Sequence, residues 1–225
     1  MRVAVLSANL GAYECPHSWV TQRPPHGITI DVYRFTDANV PPRPLAMTSR
    51  LLCGLPKMFG AWQFAPGYDA YMWVDASCAL LHEDSVAWFL DQLDGAELAV
   101  FRHPDRRTIR EEYEFMLERM ARPDETYLNS RYKGEWLQSL YEEIATDTSY
   151  VDDRLYASTA FAYKPTPRVQ LMMTHWWLTK SRWSLHDQIA WPYVIAKAGC
   201  SVNVIEQSYL KCPYLTYVRN KKRAA

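Results

Sequence analysis

The stretch Tyr68-Asp69-Ala70-Tyr71-Met72-Trp73-Val74-Asp75-Ala76-Ser77 decides how this chain is read. Its middle is apolar without a break, as in a strand buried on both faces. It then turns polar at Asp75 and Ser77. In open α/β sheets ligands sit beyond the carboxyl ends of strands. An acid and a hydroxyl two residues apart at such an end can face a ribose, a diphosphate or a divalent cation, which takes oxygen ligands. The competing reading is an Asp that caps the turn closing the strand.

Working outward, RVAVLSA at 2–8 has the apolar density of a buried strand, and the loop NLGAYECPHS follows it. ITIDVYRF at 28–35 alternates and is β-branched, which predicts a second strand. After a Pro-rich connection, 47–64 predicts a helix interrupted near Pro56, because proline lacks the donor an interior turn needs. Downstream, 83–93 predicts a short helix and 96–102 a strand. Ile109, Tyr113, Met116, Leu117 and Met120 share one face of a helix over 108–121. A second helix covers 135–145. STAFAYKP at 158–165 is a strand closed by Pro165, helices cover 166–180 and 187–198, and 201–207 is a last strand. Strands alternating with helices make an α/β sheet with helices packed on it. No repeat and no dividing linker occurs, so 1–225 is expected to be one domain, with a basic tail at about 215–225.

Composition bounds the function. Of 225 residues 48% are apolar and 22% charged, which suits a globular enzyme and excludes a disordered or coiled-coil chain. Lys+Arg and Asp+Glu are both 25, which argues against a protein held to nucleic acid by overall charge and leaves room for a local basic groove. No apolar run approaches the ~20 residues of a membrane span, and the N-terminus lacks a signal-peptide pattern. Five Cys with no C-x-x-C pair read as buried free thiols in a reducing compartment.

The segment before the deciding strand carries Thr48-Ser49-Arg50-Leu51-Leu52 and Leu55-Pro56-Lys57. A basic residue on a helix, Pro-Lys, then YD…WVDAS resembles the nucleotide-sugar glycosyltransferases of the GT-A fold. The pattern is most similar to the plant-type mucilage-related and pollen-turgor-related glycosyltransferase-like family. Further pieces follow in that family's order: Gly11 and Tyr13; Phe35-Thr36-Asp37; Arg102-His103-Pro104-Asp105-Arg106-Arg107; Glu111, Glu112 and Tyr113; Tyr132-Lys133-Gly134; Trp176-Trp177; His186-Asp187-Gln188; and Tyr193 with Lys197.

The resemblance implies a single GT-A-type, Rossmann-like α/β domain with a mixed, mostly parallel sheet flanked by helices. It implies transfer of a hexosyl or pentosyl group from a nucleotide-diphosphate sugar, first of all a UDP-sugar, to a hydroxyl of a carbohydrate or modified-nucleic-acid acceptor. Donor contacts fall to Ser7, Asn9, Gly11, Tyr13, Asp37, Arg50, Lys57, Asp75, Ser77, His103, Arg106 and Gln188. Asp187, as the acid nearest the transferred sugar, and Glu112 are the catalytic candidates. Asp75 would ligate Mn²⁺ or Mg²⁺. Relatives in plants are Golgi-anchored; a chain without an anchor is expected in the cytoplasm.

The departures bear on the metal. Asp75-x-Ser77 lacks the second carboxylate of Asp-x-Asp, and all six His precede residue 187. Arg50, Lys57, Arg106 and Arg107 could instead supply the positive charge a leaving diphosphate needs. Several residues keep a structural alternative. Asp187 or Ser184 could cap a helix, Glu111 and Glu112 could serve the helix dipole, His103 could only pack, and Trp176-Trp177 could be core or stack on an acceptor. Two other functions compete: transfer to hydroxymethylated bases in DNA, which the basic tail would suit, and a non-catalytic nucleotide-sugar or glycan binder.

Overall fold

A computed structural model describes residues 1–11 and 18–217. Six strands form one sheet: β1 (Arg2–Asn9), β2 (Thr29–Thr36), β3 (Ala70–Val74), β5 (Leu98–Arg102), β6 (Tyr156–Tyr163) and β7 (Val202–Ile205), in the order β2-β1-β3-β6-β5-β7. Every neighbouring pair is parallel except those made by β6, which runs antiparallel to both β3 and β5. This is the α/β sheet that the alternating pattern predicts, in the mixed, mostly parallel form that the family resemblance implies. A short β4 (Cys78–Leu80) pairs with β8 (Leu215–Tyr217) beside it.

The inner strands are mostly apolar, and β3 wholly so, because both faces are covered. Ala4, Leu6, Tyr71, Trp73, Val100, Phe161 and Tyr163 face one layer, which contains α1 (Ser49–Leu52), α2 (Gly54–Phe59), α7 (Pro167–Arg182) and α8 (Asp187–Ala198). Val3, Val5, Met72, Val74, Ala99, Phe101 and Ala162 face the other, with α3 (Ser85–Asp91) and the β4–β8 pair. A third cluster joins α4 (Ile109–Met120) and α6 (Leu137–Thr146) to Ile189 of α8, with α5 (Thr126–Tyr132) packed at its margin.

Three expectations change. The helical break falls at Cys53, not at Pro56; Pro56 is third in α2, inside the first turn, where no intrahelical donor is required. That helix continues as one π-helical turn over Gly60–Phe64, where Gly60 lies so close to β1 that a Cβ would stand 2.2 Å from Leu6 Cδ1. The tail expected at about 215–225 begins as β8, and residues 218–225 lie outside those described. Finally, α5 and β4 are elements the sequence reading did not predict. Among the described residues no helix is long and apolar enough to cross a membrane, and Cys53, Cys78, Cys200 and Cys212 are free thiols.

Candidate active site

The carboxyl ends of β1 and β3 open on a cleft of about 280 Å³. Because β6 runs the other way, its beginning lies at the same edge. Its register against β5 jumps from Phe161↔Val100 to Ala157↔Phe101, so Ser158, Thr159 and Ala160 bulge out of that ladder. Thr159 then accepts the Asp75 amide through its carbonyl at 2.8 Å, and Ser158 and Thr159 join Asn9, Asp75 and Ser77 in the cleft wall. The antiparallel strand thus supplies hydroxyls where a parallel strand would have supplied its other end.

Helices complete the wall. Arg50 comes from α1, and Lys57 from α2. Arg131 and Tyr132 come from α5, Lys180 from the end of α7, and Asp187 and Gln188 from the start of α8. Tyr209 and Tyr217 close the far side, their rings edge to face at 5.9 Å. The lining cations are Arg50, Lys57, Arg131 and Lys180; the lining carboxylates are Asp75 and Asp187.

These charges are organised around Lys57. Its side chain is 4% exposed, and its Nζ lies 3.3 Å from Asp75 Oδ1 and 3.0 Å from Asp187 Oδ2. The indoles of Trp73 and Trp176 flank it, with ring centres 5.5 and 5.2 Å from Nζ. Burial alone would strip the ammonium of its proton. The Asp187 and Asp75 carboxylates more than offset that, and the Lys57 pKa is raised. The other oxygen of Asp187 takes Lys180 Nζ at 2.7 Å. Burial pushes the Asp187 pKa up, but Lys180 and Lys57 together hold it well below the usual carboxylate range. Asp75 Oδ1 also accepts the Trp73 indole N–H at 2.6 Å. Arg50 lies over the Tyr132 ring at 4.8 Å and donates to the Arg131 carbonyl at 2.6 Å, tying α1 to α5.

Of the residues singled out in the sequence, Asn9, Arg50, Lys57, Asp75, Ser77, Asp187 and Gln188 meet in this cleft. Asp187 begins α8, but its carboxylate reaches two lysines, and the cap position is His186, whose side chain makes no capping bond. Gly11 and Asp37 stand behind the wall: Asp37 accepts the Gly11 amide at 3.0 Å. Gly11 has φ +79°, and a Cβ there would lie 2.4 Å from Ser49 Oγ, so the chain can pass α1 only as glycine. Ser7 is buried in β1 and is not part of the lining. Tyr13 lies outside the described residues.

Glu112 and His103 form a separate buried group beneath α8, with the partly buried Arg106 at its edge. Glu112 bonds the Arg106 guanidinium and, at 3.1 Å, His186 Nε2, while His103 accepts the Asp105 and Arg106 amides through Nδ1. Burial works against the Glu112 charge, yet His186 and Arg106 bring its pKa down to about 2. None of the three lines the cleft. Glu112, expected as a catalytic candidate, and His103 and Arg106, expected as donor contacts, stand here around His186, the residue before Asp187. Trp176 is wholly buried against Trp191, with ring centres 4.0 Å apart, and Trp177 packs on Phe59. Trp176 is core, the partly buried Trp177 packs on its edge, and neither lines the cleft. Tyr193 and Lys197 both bond Asp147, away from the cleft.

Lys180, Tyr127 and Arg131 of α5, Ser158, Thr159, Tyr209 and Tyr217 were missed, whereas Tyr132 was among the residues singled out. Lys180 left a signal: it falls on the stripe Val169, Met172, Met173, Trp176, Lys180, the buried face of α7. A charge on an apolar face needs a partner.

The donor set does not fit the divalent cation expected at Asp75. Both carboxylates of the cleft already hold ammonium groups, and among the described residues no group of three or more His, Cys, Asp or Glu side chains could hold a metal ion.

No protein-family model matches the chain, and no curated protein matches it. Among solved structures it is similar to mouse xyloside xylosyltransferase 1 in its apo form, at a TM-score of 0.48 and 8% identity, over 91% of this chain and 85% of that one.

Proposed function

We propose that this protein is a glycosyltransferase that moves a sugar from a nucleoside-diphosphate sugar to a hydroxyl acceptor. The observation that carries the reading is the cleft at the carboxyl edge of β1 and β3, where Arg50, Lys57, Arg131 and Lys180 converge beside Asp75 and Asp187. Transfer breaks the bond between the anomeric carbon and the diphosphate oxygen, and the electron pair leaves with the diphosphate. A new C–O bond forms to the acceptor oxygen, and the acceptor proton is released. Charge therefore grows on the leaving group, where fixed cations in a partly enclosed site act most strongly.

Asn9, Asp75 and Ser77 sit where strands end, as ribose or phosphate contacts would. Asp187 offers a fixed negative charge to the positive sugar carbon, and Gln188 an amide for sugar hydroxyls. Since two lysines hold the Asp187 proton affinity down, its part is electrostatic and not that of a proton acceptor. The donor is a UDP-sugar and the transferred group a hexose or pentose, as the resemblance to the plant-type family suggests.

A thermal-shift screen across nucleoside diphosphates and nucleotide-sugars tests the reading. A ligand at 100 times its Kd adds about 2.7 kcal/mol of stability. The expected result is a clear rise with one nucleoside diphosphate, followed by donor hydrolysis detectable by mass spectrometry. No shift with any of them overturns the donor site. Binding without hydrolysis or transfer to any acceptor would make the protein a nucleotide-sugar binder.

A further inference from the structure

We propose that the Lys57 ammonium stands where a divalent cation would otherwise bridge the two carboxylates, so that this protein binds and releases its nucleoside diphosphate without a metal ion. The inference rests on the donor-site reading above and deepens it.

Position is the first argument. One nitrogen lies within 3.3 Å of both Asp75 and Asp187, the two acids of the cleft. A hard cation bridging them would occupy the position of this nitrogen and compete for an Asp187 oxygen that already holds it. The remaining oxygen of Asp187 is on Lys180, and Asp75 Oδ1 also accepts the Trp73 indole N–H.

Permanence is the second. Trp73 and Trp176 flank the ammonium, and the Lys57 side chain is only 4% exposed where it meets the cleft, so its charge is held by the two carboxylates and not by water. Admitting Mg²⁺ or Mn²⁺ between the carboxylates would expel or strand a buried charge, which is far more costly than leaving the pair intact. A magnesium ion also wants near-octahedral oxygen coordination, which this mixed wall of ammonium, guanidinium and indole groups does not offer.

The third argument is what remains. With Lys57 and Lys180 engaged with the two acids, the cleft still presents Arg50 on α1, a planar donor suited to phosphate oxygens. A diphosphate entering here meets cations supplied by the chain. The carboxylates need not recruit a metal to make the site attractive to it.

Titration calorimetry of the full chain with uridine, guanosine, adenosine and cytidine diphosphates, in excess chelator and again with Mn²⁺, is the test. The expected result is one diphosphate bound with a Kd that differs by less than about two-fold between the two conditions. Lys57→Met should weaken that binding about tenfold or more in chelator, and Mn²⁺ should restore part of it, since the vacated carboxylates then face each other across an open position. Should Lys57→Met fail to fold, Mn²⁺ titration of the wild type without nucleotide, read by electron paramagnetic resonance, decides independently; no binding below about millimolar is expected. Tight Mn²⁺ binding there, a tenfold loss of wild-type nucleotide affinity in chelator, or wild-type affinity in Lys57→Met would each overturn the inference while leaving the donor site standing. If none of the four diphosphates binds in either condition, the donor-site reading falls and this inference with it.

Discussion

Asp187 holds two buried ammoniums, and that defines what its substitution does. Asp187→Asn keeps the helix start, because the cap position is His186 and the Asp187 carboxylate makes no capping bond. It leaves Lys57 and Lys180 short of a carboxylate. We expect about 3–5 kcal/mol of lost stability, the scale of a broken buried pair, together with a kcat lower by roughly 10²-fold or more. Urea unfolding and steady-state kinetics check the two separately. Unchanged stability would mean that the lysines are satisfied elsewhere. Arg50 differs, since it is only half-buried and meets a carbonyl and a ring instead of a carboxylate. Arg50→Ala should cost about 1 kcal/mol of stability and lower kcat/KM for the donor by roughly 10²–10³. Unaltered kinetics would place the diphosphate elsewhere.

At the level of elements, α8 is aimed from below. Glu112 on α4 grips His186, the residue before Asp187, and Arg106 grips Glu112. Glu112→Ala unpairs both partners in a buried site and should destabilise the protein by about 3–5 kcal/mol. A variant as stable as the wild type yet inactive would return Glu112 to the chemistry. The α2–β1 contact is equally tight. Gly60→Ala would drive a methyl group to 2.2 Å from Leu6 Cδ1, and overpacking of this kind costs about 1–3 kcal/mol; a melting curve measures it.

Across the whole molecule the buried ionisable groups set a pH window. Burial lowers the His103 pKa below its ordinary 6.5, only partly offset by Glu112. The unfolded chain therefore takes up this proton first as pH falls, and stability declines below about 6.5. Glu112 titrates near 2 when folded and near ~4.3 when unfolded. Its contribution is present above that unfolded value and is lost as pH drops through the interval, and Asp187 acts in the same sense. On the alkaline side burial pushes Tyr132 up to about 12, so stability falls above ~10, where the unfolded phenol ionises. Melting temperature should be flat from roughly pH 7 to 8, fall above ~8.5 as the unfolded chain ionises the thiols of Cys53, Cys78, Cys200 and Cys212 that burial keeps protonated in the fold, and fall gently below 6.5 and steeply below ~4.5. His103→Gln should remove the gentle step alone. A plateau reaching unchanged to pH 5 in the wild type would contradict a neutral buried His103.

Buried strands and their polar ends were legible in the sequence, because apolar runs and strand termini depend on near neighbours. So were Arg50, Lys57, Asp75, Asp187 and Gln188 as members of one site. The pairing inside that site was not legible. Lys57 meets Asp187 across 130 residues, and no local period records which carboxylate an ammonium will find. The reversed β6 with its bulge, the short α5 that brings Arg131 and Tyr132 to the cleft, and the place of Glu112 beneath α8 were likewise decided by packing. The sequence by itself determined the layers of this protein and the residues at their edge. Only the tertiary structure decided that the acids at that edge face lysines, because the choice of charge partner is made by long-range contacts that burial enforces.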